Sequence, residues 1–188
     1  MKEESSIRFN RLQDTITELA EASKRIDVAL RIRKKGFLQM RSRICRNAAH
    51  FFAERLQARG YYGKLEFDHD HGSKTMHILV NPNSEATEED DARGARDIKT
   101  LSGGEKSFCT VSLVLSLWED MNPPFRILDE FDVFMDSINR RAAIDLILNY
   151  AQEQRKFQYL FLTPLNLDHL NEAGQDVQVI HFEKNHQD

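Results

Sequence analysis

The chain has 188 residues, 40% of them hydrophobic and 30% charged, with a net charge of −4. That length holds one domain with a core, or a small domain plus an extension, and the composition excludes a membrane-embedded chain. The first residues mix acids and bases instead of forming an apolar run, so no secretory leader is expected. Cys45 and Cys109 lie far apart within helical patterns and are expected to be free thiols in a reducing compartment.

The charge is distributed unevenly. Residues 1–64 carry 15 Lys and Arg against 7 Asp and Glu, whereas residues 65–188 carry 11 against 23. Between Val28 and Ala53 there is no acid, only Arg31, Arg33, Lys34, Lys35, Arg41, Arg43 and Arg46. Such a stretch suits a polyanion or an acidic partner, and equally the solvated face of a helix.

The clearest periodicity comes first. Phe9, Leu12, Ile16, Leu19, Ser23, Ile26, Leu30, Arg33, Phe37, Met40 and Ile44 recur at alternating spacings of three and four. This is a heptad seam with polar interruptions at Ser23 and Arg33, and it predicts a coiled-coil strand whose partner lies in another segment or chain. The helix should run on through Phe51 and Leu56 and stop near Gly60. Residues 64–80 predict a β-hairpin, with Leu65 and Phe67 alternating before an Asp70–Ser73 turn and Met76, Ile78 and Val80 after it. Residues 81–100 predict a polar, acidic loop. A helix from Gly104 to about Met121 follows, then a Pro123-Pro124 break and a strand at Phe125–Leu128, in which Arg126 argues for an exposed edge. A helix over Ser137–Gln154, a strand at Tyr159–Leu162, a short helix after Pro164 and a last strand at Val177–Phe182 complete an α/β pattern.

Two stretches carry chemistry. In Leu101-Ser102-Gly103-Gly104-Glu105, Ser102 is placed to cap a helix and Glu105 to close a capping box. The two glycines let backbone N–H groups approach an anion, toward which the helix also points its positive end. Phe125-Arg126-Ile127-Leu128-Asp129-Glu130 is a strand ending in two carboxylates at the edge where α/β sheets bind ligands. Asp129 can hold Mg²⁺, and Glu130 can orient or deprotonate a water. Asp132 and Asp136 continue the acidic loop and are ambiguous by themselves. His69, His71 and His77 lie on or near the hairpin beside Asp68 and Asp70 but match no strong metal-ligand spacing. Cys109 has no evident base beside it and reads as a helix residue.

Together these residues resemble the signature, Walker B and D-loop segments of the SMC/ABC ATPase superfamily. The run LSGGEKSFCTVSLVLSLWEDMNPPFRILDEFDVFMDSINRR and the later LFLTP resemble the branch formed by the sixth eukaryotic SMC subunit, that of the SMC five–six complex. The resemblance implies the C-terminal lobe of an ABC-type ATPase head over 59–188, preceded over 1–58 by a coiled-coil strand and neck helix. It implies that Leu101 to Glu105 meet the γ-phosphate of ATP held by a partner head. It makes Asp129 the Mg²⁺ residue, Glu130 the catalytic base and Asp136 the D-loop aspartate that crosses between heads. A switch histidine follows the Thr of the next strand in many relatives, but here Thr163 is followed by Pro164. The implied partners are the N-terminal lobe of the same protein, the head of the fifth subunit, a kleisin at the neck, and DNA, in the nucleus on chromosomes. The basic residues from Arg31 to Arg46 are candidates for the DNA or kleisin contact.

One element is missing from the 188 residues. A phosphate loop needs G-x-x-x-x-G-K-[ST]; at the nearest match, Gly63-Lys64, Ala58 takes the first glycine position and Leu65 follows the lysine. The chain is therefore expected not to bind and hydrolyse ATP alone, and to be poorly soluble without partners.

Overall fold

The computed structural model describes residues 2–69, 74–82, 95–166 and 177–182. The chain divides into two compact units, residues 1–47 and 48–188. The first is the long opening part of helix α1, which spans Lys2–Gln57. Its heptad seam is bare: Phe9, Leu12, Ile16, Leu19, Ile26, Leu30, Phe37 and Met40 are each at least half exposed. Arg31 pairs with Asp27 at 2.7 Å one turn away, an exposed pair worth a few tenths of a kcal/mol at most.

The second unit opens with the end of α1, where Ala48, Phe52 and Leu56 are buried. Gly60, at φ 77°, stops the helix. The Gly60 N–H bonds the Gln57 carbonyl and the Tyr61 N–H bonds that of Leu56, a Schellman closure that needs a left-handed residue at this position. The chain then turns into β1 (Tyr62–Asp68), which pairs antiparallel with β2 (Thr75–Asn81). The register sets Gly63 opposite Val80 and Leu65 opposite Ile78, so one face of the hairpin enters the core. The turn at 70–73 lies outside the described residues.

Arg96–Asp97 forms a short β3 on β2 and Ile98–Thr100 a single 3-10 turn, so the end of the stretch read as a loop is structured. Helix α2 (Gly103–Trp118) buries Phe108, Cys109, Val111 and Leu115, and burial pushes the Cys109 thiol up to about 12. Strand β4 (Phe125–Asp129), helix α3 (Ser137–Glu153) and strand β5 (Gln158–Leu162) form a βαβ unit with β4 and β5 parallel. The architecture is mixed α/β. Val177–Phe182 is not a strand: Ile180 is 63% and Phe182 84% exposed. Alternation makes a strand only where a neighbour pairs with it, and none does among the described residues. The helix read after Pro164 falls largely on residues outside the described ones.

Arg126 also departs from expectation. It is buried, not edge-exposed. Its guanidinium donates to the Tyr150 and Tyr159 hydroxyls and to the carbonyls of Trp118 (2.7 Å) and Met121 (3.0 Å). The ring of Phe157 lies 3.8 Å from its charge centre, with Trp118, Tyr150 and Tyr159 around it. A cation at these carbonyls complements the negative end of α2 and its exit. Replacing it, Arg126→Leu, removes the donor to the Met121 carbonyl and to two hydroxyls and leaves the Trp118 carbonyl only the Met121 N–H. We expect a loss of about 3 kcal/mol or more, measured as a drop in the chaotrope midpoint of unfolding.

Candidate functional site

The N-terminus of α2 is built as a closed capping box. The Glu105 N–H donates to Ser102 Oγ at 3.3 Å, and the Ser102 N–H donates to Glu105 Oε2 at 2.8 Å. Leu101 and Gly104 are buried, whereas Ser102 and Gly103 are exposed. By helix geometry the N–H groups of Gly103 and Gly104 have no acceptor within the helix. The helix end is thus positive and donor-rich, exposed at Ser102 and Gly103.

Asp136 lies against it. A Cβ on Gly104 would meet Asp136 Oδ2 at 3.1 Å and Asn139 Nδ2 at 3.3 Å, so glycine is what allows α2 to sit this close to the start of α3. Asp136 caps α3. Its Oδ1 accepts from the Ile138 and Asn139 N–H groups, and its Oδ2 accepts from the Asn139 side-chain amide at 2.8 Å. The Asn139 N–H foremost, then its amide and the Ile138 N–H, holds the Asp136 carboxyl below its ordinary value of 3.8. Asn139 is buried and its Oδ1 accepts from the Tyr61 hydroxyl at 3.4 Å. Nothing in the sequence marked it out.

Asp129 ends β4 and is exposed. Alternation along the strand sets it on the same face as Phe125 and Ile127, which are 58% and 57% exposed. Leu160 and Leu162 of β5 pair with Ile127 and Asp129 and are also bare. Glu130 follows at φ 48°, with its N–H donating to the Leu162 carbonyl at 2.9 Å. Asp132, ambiguous in the sequence, is fully buried and bonded to Thr163 and Arg140; its partners are 31 and 8 residues away, beyond the reach of a local pattern. The donor chemistry at Asp129 fits Mg²⁺, an oxygen-seeking ion that keeps waters and takes one or two carboxylates.

The other candidates are placed apart from this cluster in sequence and role. Arg31, Arg33, Lys34, Lys35, Arg43 and Arg46 are exposed on α1, and Arg41 is half-buried over the ring of Phe37. Arg46 donates to Ser42. His77 sits on β2 opposite Glu66, and His71 lies outside the described residues. Among the described residues no three His, Cys, Asp or Glu side chains gather as a metal site.

No protein-family model matches the chain. It is 42% identical over 158 residues to structural maintenance of chromosomes protein 6 of Dictyostelium discoideum, covering 84% of this chain and 13% of that protein. With the human protein of that name it shares 39% over 159 residues, 85% of this chain and 14% of the relative. With that of Saccharomyces cerevisiae it shares 30% over 174 residues, 93% and 15%. The chain therefore spans about a seventh of the length of these relatives. Among solved structures, an SMC ATPase from work on ATP-driven dimerization and DNA-stimulated activation superposes with a TM-score of 0.55 at 22% identity, over 73% of this chain and 77% of that one. An SMC head bound to the C-winged helix domain of ScpA superposes at 0.52 and 24% identity, over 71% and 37%.

The Asp136 cap has a pH signature. Its lowered folded value means that the cap stabilises fully above about pH 4 and that this contribution is lost as pH falls through the folded value. Asp136→Ala should therefore lower the melting temperature at pH 7, and its deficit relative to wild type should shrink as the pH drops below 4.

Proposed function

Because the chain belongs, over the segment it spans, to the family of structural maintenance of chromosomes protein 6, we propose that it is the C-terminal half of an ATPase head that works only as part of a composite site. The observation that carries this reading is the uncovered apolar face of β4 and β5, which bears Asp129 at its end. An apolar sheet face of this kind calls for a covering layer. The N-terminal lobe of the same protein, bearing the phosphate loop that these 188 residues lack, fills that role and brings its ATP to Asp129 and Glu130.

In this reading Asp129 holds Mg²⁺, which when bound neutralises charge on the phosphate oxygens. Glu130 orients the attacking water and takes its proton. The α2 N-terminus serves the opposite half of the assembly: Ser102, Gly103 and Gly104 offer hydroxyl and N–H donors to the γ-phosphate of ATP on the head of the fifth subunit. Asp136, locked beside Gly104, reaches the same junction. ATP thus joins the heads and hydrolysis parts them, which serves DNA tethering and repair on chromosomes in the nucleus.

A second reading makes α1 the working part, with the stretch from Arg31 to Arg46 binding DNA or a kleisin. The exposure of most of these cations favours it. Charge reversal at Arg41, Arg43 and Arg46 separates the two readings, since it should abolish binding and leave the catalytic groups in place.

The test is ATP hydrolysis by the chain alone, by the chain with its N-terminal lobe, and by both with the partner head. Turnover should appear only in the third sample and fall by about 10²- to 10⁴-fold with Glu130→Gln, and Ser102→Arg should abolish it. Turnover by the chain alone would overturn the composite site.

A further inference from the structure

We infer that Asp132 and Thr163 are positioning residues that hold Glu130 in place for catalysis; the inference rests on Glu130 being the base proposed above. Glu130 has a φ of 48°, a left-handed conformation that glutamate adopts only where its surroundings over-determine it. Those surroundings are two consecutive residues at the end of β5. The Leu162 carbonyl accepts the Glu130 N–H at 2.9 Å. The next residue, Thr163, places its Oγ1 at 2.7 and 2.9 Å from the two carboxylate oxygens of Asp132. Glu130 is thus gripped at its own backbone and again two residues on.

The polarity of the second grip follows from its partners. The Leu165 N–H donates to Thr163 Oγ1 at 3.1 Å, so the hydroxyl proton is left to point at Asp132. Asp132 is fully buried, and a carboxylate there needs a charge partner. Arg140 supplies it, with Nε 2.8 Å from Asp132 Oδ2. Its Nη2 donates at 2.8 Å to the Asn166 carbonyl, so one arginine ties α3 to both Asp132 and the segment after β5. Asp132 also shapes the turn itself, since its carbonyl accepts the Met135 N–H at 3.0 Å just before Asp136. The segment 163–166, which lacks a histidine after Thr163, is therefore bound by side chains to the turn between Glu130 and Asp136.

The experiment uses the full-length protein assembled with its partner SMC head, with ATP as the probe. Thr163→Val keeps the shape and removes the hydroxyl; Thr163→Ser restores the hydroxyl. Glu130→Gln is the control, and ATP-driven head dimerisation is followed in parallel. Thr163→Val should lower kcat by about 10- to 100-fold with KM for ATP and dimerisation kept, and Thr163→Ser should return kcat to near wild type. Wild-type kcat in Thr163→Val, alongside a dead Glu130→Gln, would overturn the inference and leave the composite site standing. Loss of kcat, KM and dimerisation together, not restored by serine, would also overturn it, by showing a merely structural bond. Unimpaired turnover by Glu130→Gln would remove the base itself and the inference with it.

Discussion

The buried guanidinium of Arg126 is the constraint around which the lobe is assembled. Among the described residues its hydrogen bonds go to neutral oxygens, the hydroxyls of Tyr150 and Tyr159 and the carbonyls of Trp118 and Met121. A cation held this way avoids the cost of burying a second charge with it, and relies instead on ring faces and carbonyl dipoles. The contributors come from α2 and its exit, α3 and β5, so one side chain on β4 gathers every element of the βαβ unit. Burial, aided by Glu119, pushes the Tyr150 hydroxyl up to about 12, so the ring stays a neutral partner for the cation. Beside this box, Arg55 from the end of α1 pairs with Glu119 at 2.6 Å, both nearly buried, and lies over the Tyr150 ring. The two arginines fix α1's last turns, α2's end and β4 relative to one another.

Where β4 stops matters because its end carries the two carboxylates. Strand alternation turns Arg126 and Leu128 inward and leaves Phe125, Ile127 and Asp129 outward. The inward face is held by the aromatic box, and the outward face is apolar and bare. The same strand therefore anchors the lobe on one side and presents Asp129 on the other. Glu130, the next residue, leaves the strand with its backbone in the left-handed region.

What was legible in the sequence was what depends on near neighbours. The Ser102–Glu105 capping box is closed within four residues, and the structure shows both of its hydrogen bonds. The hairpin needs only alternation and a turn, and the α1 stop needs only Gly60. Arg126 was misread because its partners lie 5 to 33 residues away, and a strand pattern says nothing about rings arriving from two helices. Asp132 stayed ambiguous for the same reason, and Asn139 looked like any polar position in the first turn of a helix. Val177–Phe182 shows the converse error, since a local alternation was read as a strand although a strand is a pairing, not a pattern.

Two apolar surfaces of different kinds remain bare, and their geometry says what each can accept. The seam of α1 repeats every seven residues, so it fits another helix at a shallow crossing angle and little else. The β4–β5 face is short, with Phe125, Ile127, Leu160 and Leu162 spread along the length of a parallel pair. It fits a packed layer of secondary structure, as parallel strands are normally covered on both faces. A single helix partner cannot serve both. Asp129 ends β4 on this face, whereas the seam of α1 holds no carboxylate. At the end of α1, Phe52, Leu56 and Arg55 enter the core that positions α2 and β4.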